Sequence, residues 1–417
     1  MLLLKINVIG PPIRKMRKFL KILGIFLGLI LLFGIYCYRL GRDSSLTYKW
    51  ELTEDERSRL PLEFEIDEGI GEGNVILVPG SVGGEHTQFV LDTGTTSTIF
   101  NDEFQSLLGE PVGSVSLTDT NENKTAGNKQ TFLFPEAFIG PLRIRGSEKT
   151  ILIDCSSMEG TLGVNIGGLL GMDFLKSVII QLDFDRQNIN ILNPDSKPSR
   201  GWGEEIPINF RRDGIPYLSA SVAGNRISQM VIDTGSTHNK IPRELFDRIG
   251  REKGLPYALI WFASASGTSF NKLARFGSLR VGSSEYEGIL ASEGGIGSLG
   301  LPFLSRHVVT FDFPRGRMYL KPGNQFNKVF AADMSGLRIG KRDDEVSVAS
   351  VDPTAPAGAA GFKRGDIIIS INNVPVHRQP IWRVRELFKS GDGIELEVLI
   401  RRETEEIPLA LTLKKWL

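Results

Sequence analysis

Residues 89 to 98 read Phe89-Val90-Leu91-Asp92-Thr93-Gly94-Thr95-Thr96-Ser97-Thr98. Three apolar residues run straight into Asp-Thr-Gly, and small hydroxyl residues follow. Such a run, closed by a small-residue turn, predicts a buried strand whose end presents a carboxylate. The pattern returns as Met230-Val231-Ile232-Asp233-Thr234-Gly235-Ser236-Thr237. A single Asp-Thr-Gly arises by chance in roughly one chain in ten of this length. Two copies in the same apolar and hydroxyl setting are far rarer, which raises the question whether both serve one site.

The surrounding landmarks repeat in the same order. Residues 75–195 open with a predicted hairpin, Val75 to Val78 and Gln88 to Leu91 around Gly83-Gly84. They later carry Gly168-Leu169-Leu170-Gly171-Met172-Asp173-Phe174-Leu175, then the strands Val178 to Phe184 and Ile189 to Leu192. After a linker at Pro194 to Arg200, residues 205–323 replay this order. Tyr217 to Val222 and Gln229 to Ile232 flank a turn at Gly224-Asn225, and Gly297-Ser298-Leu299-Gly300-Leu301-Pro302-Phe303-Leu304 precedes Val308 to Phe313 and Met318 to Leu320. The aspartates lie 141 residues apart, whereas Gly171 and Gly300 lie 129 apart. The first copy therefore holds about 12 extra residues between its landmarks, and the polar stretch Thr118 to Gln130 is where they are expected. This is an internal repeat of two long units, not a solenoid.

Composition narrows the function classes. The chain has 417 residues, enough for two or three domains with real cores. Lysine plus arginine equals aspartate plus glutamate at 49 each, so nothing points to a nucleic-acid partner. Forty-six glycines among many short β-branched runs predict a mainly β protein. Two cysteines, Cys37 and Cys155, exclude a disulfide framework. Cys155 follows an apolar run and reads as a small buried residue rather than a nucleophile. The four histidines, His86, His238, His307 and His377, lack ligand spacing, so no metal site is expected.

The N-terminus predicts a membrane anchor. Residues 1–18 form a basic tail, and residues 19–38 are long and apolar enough to cross a bilayer once. No small-x-small cleavage site follows, since the exit reads Ile35-Tyr36-Cys37-Tyr38-Arg39, which favours an uncleaved span over a signal peptide. The basic excess places the N-terminus in the cytoplasm and everything after residue 38 outside, beginning with a tether at 39–74.

Two carboxylates held within hydrogen-bond distance cannot both ionise, so they share a proton and titrate as a pair. The ionised member can activate a water while the protonated member polarises a carbonyl, which hydrolyses an amide without any cofactor. Asp92 and Asp233 are the candidates. Thr93 and Thr234 can hydrogen-bond to the opposite loop, and Gly94 and Gly235 allow close approach with unusual backbone angles. Thr95 and Ser236 can each offer a hydroxyl to the outer carboxylate oxygen, which would move activity toward acid pH.

On these residues the two repeats resemble the lobes of an aspartic protease of the pepsin and retropepsin superfamily. Leu169-Leu170-Gly171 and Ser298-Leu299-Gly300 resemble the apolar-apolar-Gly segments packed behind each loop, and the longer motifs resemble bacterial retropepsin-like proteins more than pepsin. Ser298 departs from the pattern at one core contact. The resemblance implies two pseudo-symmetric closed β lobes, polypeptide substrates and a hairpin flap. Thr118 to Gln130 and Ala263 to Ser269 are flap candidates that read equally well as plain surface loops. His238 follows the second motif and reads as a turn residue near the cleft floor, since a dyad needs no histidine.

Residues 335–417 resemble a bacterial PDZ domain, through Ser335-Gly336-Leu337-Arg338-Ile339-Gly340 and the run Val351 to Gly361 followed by Lys363-Arg364-Gly365-Asp366-Ile367-Ile368. The resemblance implies that a peptide C-terminus adds as a strand between Gly336, Leu337, Arg338, Ile339 and Gly340 and a helix carrying Val384 and Leu387, its carboxylate held by backbone N–H groups. A domain that only packs on the protease lobes remains the alternative. The leading reading is a membrane-anchored, extracytoplasmic aspartic endopeptidase with a PDZ domain. The second is a non-catalytic PDZ peptide-binding protein that keeps the lobes as scaffold.

Overall fold

Two strand sets are built on the same plan, and each ends an apolar strand on an Asp-Thr-Gly turn. The computed structural model describes residues 51–70, 73–119, 124–144, 148–264 and 267–417, apart from the side chains of 118–126 and 261–269. These belong to one unit running from Tyr48 to Leu417. The predicted tail and membrane span, the first part of the tether at 39–50, and the tips of both flap candidates lie outside the described residues. No helix among the described residues is long and apolar enough to cross a membrane.

In the first repeat, strand Glu85–Leu91 pairs antiparallel with Leu77–Val82 and parallel with Gly168–Leu170. In the second, Asn225–Ile232 pairs antiparallel with Pro216–Val222 and parallel with Gly297–Leu299. A strand covered on both faces carries a continuous apolar run rather than an alternating one. Phe89, Val90 and Leu91, and likewise Met230, Val231 and Ile232, are all buried. The two sheets differ at one closing element. In the second repeat the long strand Gly267–Val281 pairs with both Ser284–Gly294 and Pro216–Val222, which closes the sheet on itself. In the first repeat the matching run is split into Lys124–Leu133 and Ala137–Ile139, with Pro135 between them. Proline has no N–H to give to a ladder and is tolerated only where a strand breaks.

A third sheet joins the repeats. Its order is Leu62–Glu65, Asn188–Leu192, Ile179–Asp183, His307–Asp312, Arg317–Pro322 and Glu204–Pro207. The central antiparallel pair, Ile179–Asp183 against His307–Asp312, takes one strand from each repeat. One continuous core runs through both repeats. The C-terminal domain has its own core around Val346, Val348, Ile368, Val384, Phe388 and Val398. Its sheet runs Leu337–Arg342, Glu345–Val351, Ile367–Ile371, Glu395–Arg402 and Glu405–Thr412, which leaves Leu337–Arg342 as an edge strand.

The register locates the extra residues of the first repeat. Phe100 pairs with Leu152 and Ile241 with Glu293, each second-repeat residue lying 141 positions after its counterpart. At Leu169, which pairs with Val90, and Ser298, which pairs with Val231, the offset has fallen to 129. The insertion therefore falls between Leu152 and Leu169, not in Thr118 to Gln130 as expected. It contains the helix Ser156–Leu162, for which the second repeat has no counterpart among the described residues. Sequence polarity misplaced it because the helix is itself only half-buried and the hairpin tips of both repeats are polar.

Candidate active site

Asp92 and Asp233 each sit where a parallel strand pair ends. The Asp92 N–H donates to Leu170 O at 3.1 Å and the Asp233 N–H to Leu299 O at 3.0 Å, so the apolar-apolar-Gly segments fix both loops from behind. Those segments are fixed in turn by polar side chains six positions after each aspartate. Gly171 N–H donates to Thr98 Oγ1 at 3.2 Å, and Gly300 N–H to Asn239 Oδ1 at 3.1 Å. Asp173 accepts from the Thr98 N–H and hydroxyl, both at 2.8 Å. Thr98, Asn239 and Asp173 escaped the sequence reading; the signal for the first two was a polar residue recurring six positions after each aspartate.

The two loops grip each other. Thr93 N–H donates to Thr234 Oγ1 and Thr234 N–H to Thr93 Oγ1, each at 3.0 Å. The Thr93 hydroxyl donates to Ile232 O and the Thr234 hydroxyl to Leu91 O, each at 2.7 Å. Both threonines are fully buried. Four buried hydrogen bonds thus cross between repeats 141 residues apart, and a partner lost here would leave a desolvated backbone group. The glycines then place the carboxylates. A Cβ on Gly94 would stand 2.6 Å from Asp233 Oδ1 and 3.1 Å from Asp92 Oδ1, so these oxygens are less than about 6 Å apart. A Cβ on Gly235 would stand 2.5 Å from Asp92 Cγ. Neither glycine has a positive φ. Close approach is what excludes a side chain here, rather than the unusual backbone angles expected.

The flanking hydroxyls behave differently in the two loops. Thr95 donates to Asp92 Oδ2 at 2.6 Å, and Gly94 N–H donates to Oδ1 at 2.8 Å. Ser236 instead donates to His238 O at 2.9 Å and accepts from His238 N–H at 3.4 Å, because the chain turns back over it. Burial pushes the Asp92 carboxyl above its ordinary range, opposed by the Thr95 hydroxyl, the Gly94 N–H and the Lys240 charge. The hydroxyl argument for an acid window is therefore outweighed at Asp92. A Thr95→Val variant loses a donor to the ionised form, so the alkaline limb of its kcat/KM profile should move to higher pH. A limb that stays or moves down would show that Thr95 does not face the titrating group.

Lys240 also escaped the sequence reading. It is buried at the position matching Ile99 of the first repeat and pairs in register with Ser298, where Ile99 pairs with Leu169. Ser298 Oγ is buried and finds no hydrogen-bond partner among the described residues. Burial first, and then the positive charges of Arg338, Lys240, Lys389 and Arg385, together push His238 down to about 3. The imidazole is thus neutral across the physiological range. Cys155 is fully buried and its thiol is pushed up to about 12 by burial, which leaves it without nucleophilic character.

The residues expected to bind a peptide C-terminus are already engaged. Gly336 N–H donates to Asp333 Oδ1 at 2.8 Å and Leu337 N–H to Ser335 Oγ at 2.9 Å. Leu337, Ile339 and Val384 are buried in the domain's own core, and Leu387 packs against it. Arg338 is half-buried, and Gly340 lies against Gly160 O of the first repeat.

Comparisons with known proteins agree with this division. Residues 78–174 match the family model of the aspartyl protease, and residues 347–402 that of the PDZ domain. No curated protein matches the chain. Among solved structures, a retropepsin-like aspartic protease from Rickettsia conorii is 25% identical over 28% of this chain and 89% of its own, with a TM-score of 0.24. The photosystem II D1 C-terminal processing protease is 22% identical over 22% of this chain and 26% of its own, with a TM-score of 0.20. The PDZ domain of HtrA3, bound to a phage-derived ligand (FGRWV), is 21% identical over 17% of this chain and 60% of its own, with a TM-score of 0.15. The chain joins an aspartyl protease domain to a PDZ domain.

Proposed function

We propose that the chain is an aspartic endopeptidase whose dyad is Asp92 and Asp233, one from each repeat. The observation that carries this reading is the reciprocal threonine grip, which places each aspartate over the glycine of the opposite loop. Two buried carboxylates brought this close, one from each repeat, support a shared proton better than a passive scaffold does.

One proton is shared between the two carboxyls. The ionised member takes a proton from a water held between them while the protonated member donates to the scissile carbonyl oxygen. Attack forms the C–O bond of a tetrahedral intermediate. Its collapse breaks the C–N bond: one carboxyl delivers its proton to the leaving nitrogen while the other takes a proton from a hydroxyl of the intermediate, so the pair again holds one proton. The raised Asp92 pKa keeps the singly protonated pair populated above the usual carboxylate range. The test is hydrolysis of an unstructured polypeptide by the 48–417 fragment; intact substrate under all conditions from acid to neutral would overturn the reading.

The remaining parts of the proposal are the domain bounds 75–195, 205–323 and 335–417, recruitment or regulation by the PDZ domain, and an anchor at 19–38 that leaves residues 39 onward outside the cytoplasm. The composition of residues 1–38 supports the anchor. The full chain should then partition with the membrane fraction and resist alkaline carbonate extraction. Its recovery in the soluble fraction, trimmed near residue 40, would instead identify a signal peptide.

A further inference from the structure

The insertion that breaks the repeat symmetry is the segment that meets the PDZ domain. Helix Ser156–Leu162 contacts both walls of the peptide groove, the edge strand Leu337–Arg342 and the helix Ile381–Leu387. Arg385 Nη2 donates to Thr161 O at 2.6 Å and to Ile339 O at 3.1 Å, so its guanidinium ties the inserted helix to the open edge of the strand. Arg342 Nη2 reaches Ser156 O at 3.4 Å. Gly163 ends the helix with φ +73, and a Cβ there would stand 3.2 Å from Lys341 Cβ and 3.3 Å from Ile381 Cγ2. An added peptide strand would need the edge that this segment covers.

The loop expected to hold a ligand carboxylate is also engaged at its start. Asp333 Oδ1 accepts the N–H groups of Ser335 at 2.9 Å and Gly336 at 2.8 Å, so the first N–H of that loop already serves a carboxylate of the chain itself. The inserted helix also reaches the second repeat, touching the hairpin strand Tyr257–Ser264. The PDZ C-terminus holds that hairpin from another side, with Leu417 and Trp416 packed on Ala258, Ile260 and Leu273.

We propose that segment 156–163 is the resident ligand of the PDZ groove, and that a partner peptide with a free apolar C-terminus enters only by displacing it. Displacement takes the inserted helix off the second-repeat hairpin, which couples PDZ occupancy to the dyad; this coupling rests on the protease reading above, and the exchange of ligands does not. A groove that is open only part of the time binds with affinity reduced by its open fraction.

The test uses the full 48–417 unit and a decapeptide ending in Val-COO⁻. Affinity is measured for the wild type and for Arg342→Ala/Arg385→Ala, which cuts the ties to the inserted helix. Amide exchange is followed in both, and repeated on an Asp92→Asn background so that neither readout depends on hydrolysis. The variant should bind about tenfold or more tightly than wild type, and saturating peptide should speed exchange across 156–163 in the wild type. A peptide that binds both chains equally, that binds neither, or that saturates the wild type without new exchange in 156–163 overturns the proposal. If the variant melts early, the wild-type exchange experiment alone decides it. The protease coupling is read separately, as a rise in kcat/KM for a short substrate on adding the peptide.

Discussion

Asp92→Asn and Asp233→Asn should each lower kcat by about 10³-fold or more, with the melting temperature little changed. The size follows from the shared proton: an amide cannot take the proton of water, and the remaining carboxyl cannot act as acid and base in the same step. The two losses should be alike, and the double variant should be little worse than either, because both residues belong to one unit. Folding should survive, since the grip between the repeats is made by Thr93 and Thr234 and by backbone groups, not by the carboxylates. A single variant that keeps a tenth of wild-type activity would break the assignment.

Gly235→Ala should cost about 10²-fold in kcat/KM. Its Cβ would stand 2.5 Å from Asp92 Cγ, whereas non-bonded carbons rest at about 3.5–4.0 Å. The Asp92 carboxyl must therefore move by about 1 Å, or the loops must part and strain the threonine grip. Gly235 has no positive φ, so the alanine is conformationally allowed and the effect isolates the steric term. Gly250→Ala, in the helix Arg243–Lys253 with nothing within 4 Å of the added carbon, is the control and should leave activity intact. Equal activity in both variants would show that the loops do not face each other as closely as the geometry has it.

The repeat was legible because its landmarks are local: an apolar run, a turn, and a carboxylate at a fixed spacing. The parallel pairs that join Leu169 to Val90 and Ser298 to Val231 bring together residues far apart in the chain, and only the doubled motif order hinted at them. What stayed hidden depends on tertiary direction. Ser236 has the right hydroxyl at the right position, yet its proton goes to His238 O because of how the chain turns after it. Thr95 and Asp92 show the same limit in energy: the hydroxyl was readable, but the burial that outweighs it was not. The Ser156–Leu162 helix that meets the strand Leu337–Arg342 and the helix Ile381–Leu387 carries no sequence signature, and only the register and the tertiary contacts reveal it. Lys240 at the place of Ile99 could have been found by aligning the two repeats residue by residue.

The central claim is that two aspartates from the two repeats form one hydrolytic site. Titration of the 48–417 unit with a statine peptide, whose hydroxyl stands in for the attacking water, tests it most directly. One equivalent per chain should abolish cleavage of an unstructured polypeptide, and binding should be lost in both Asp92→Asn and Asp233→Asn. Cleavage that persists with statine saturating, or statine binding that survives in either variant, would contradict it.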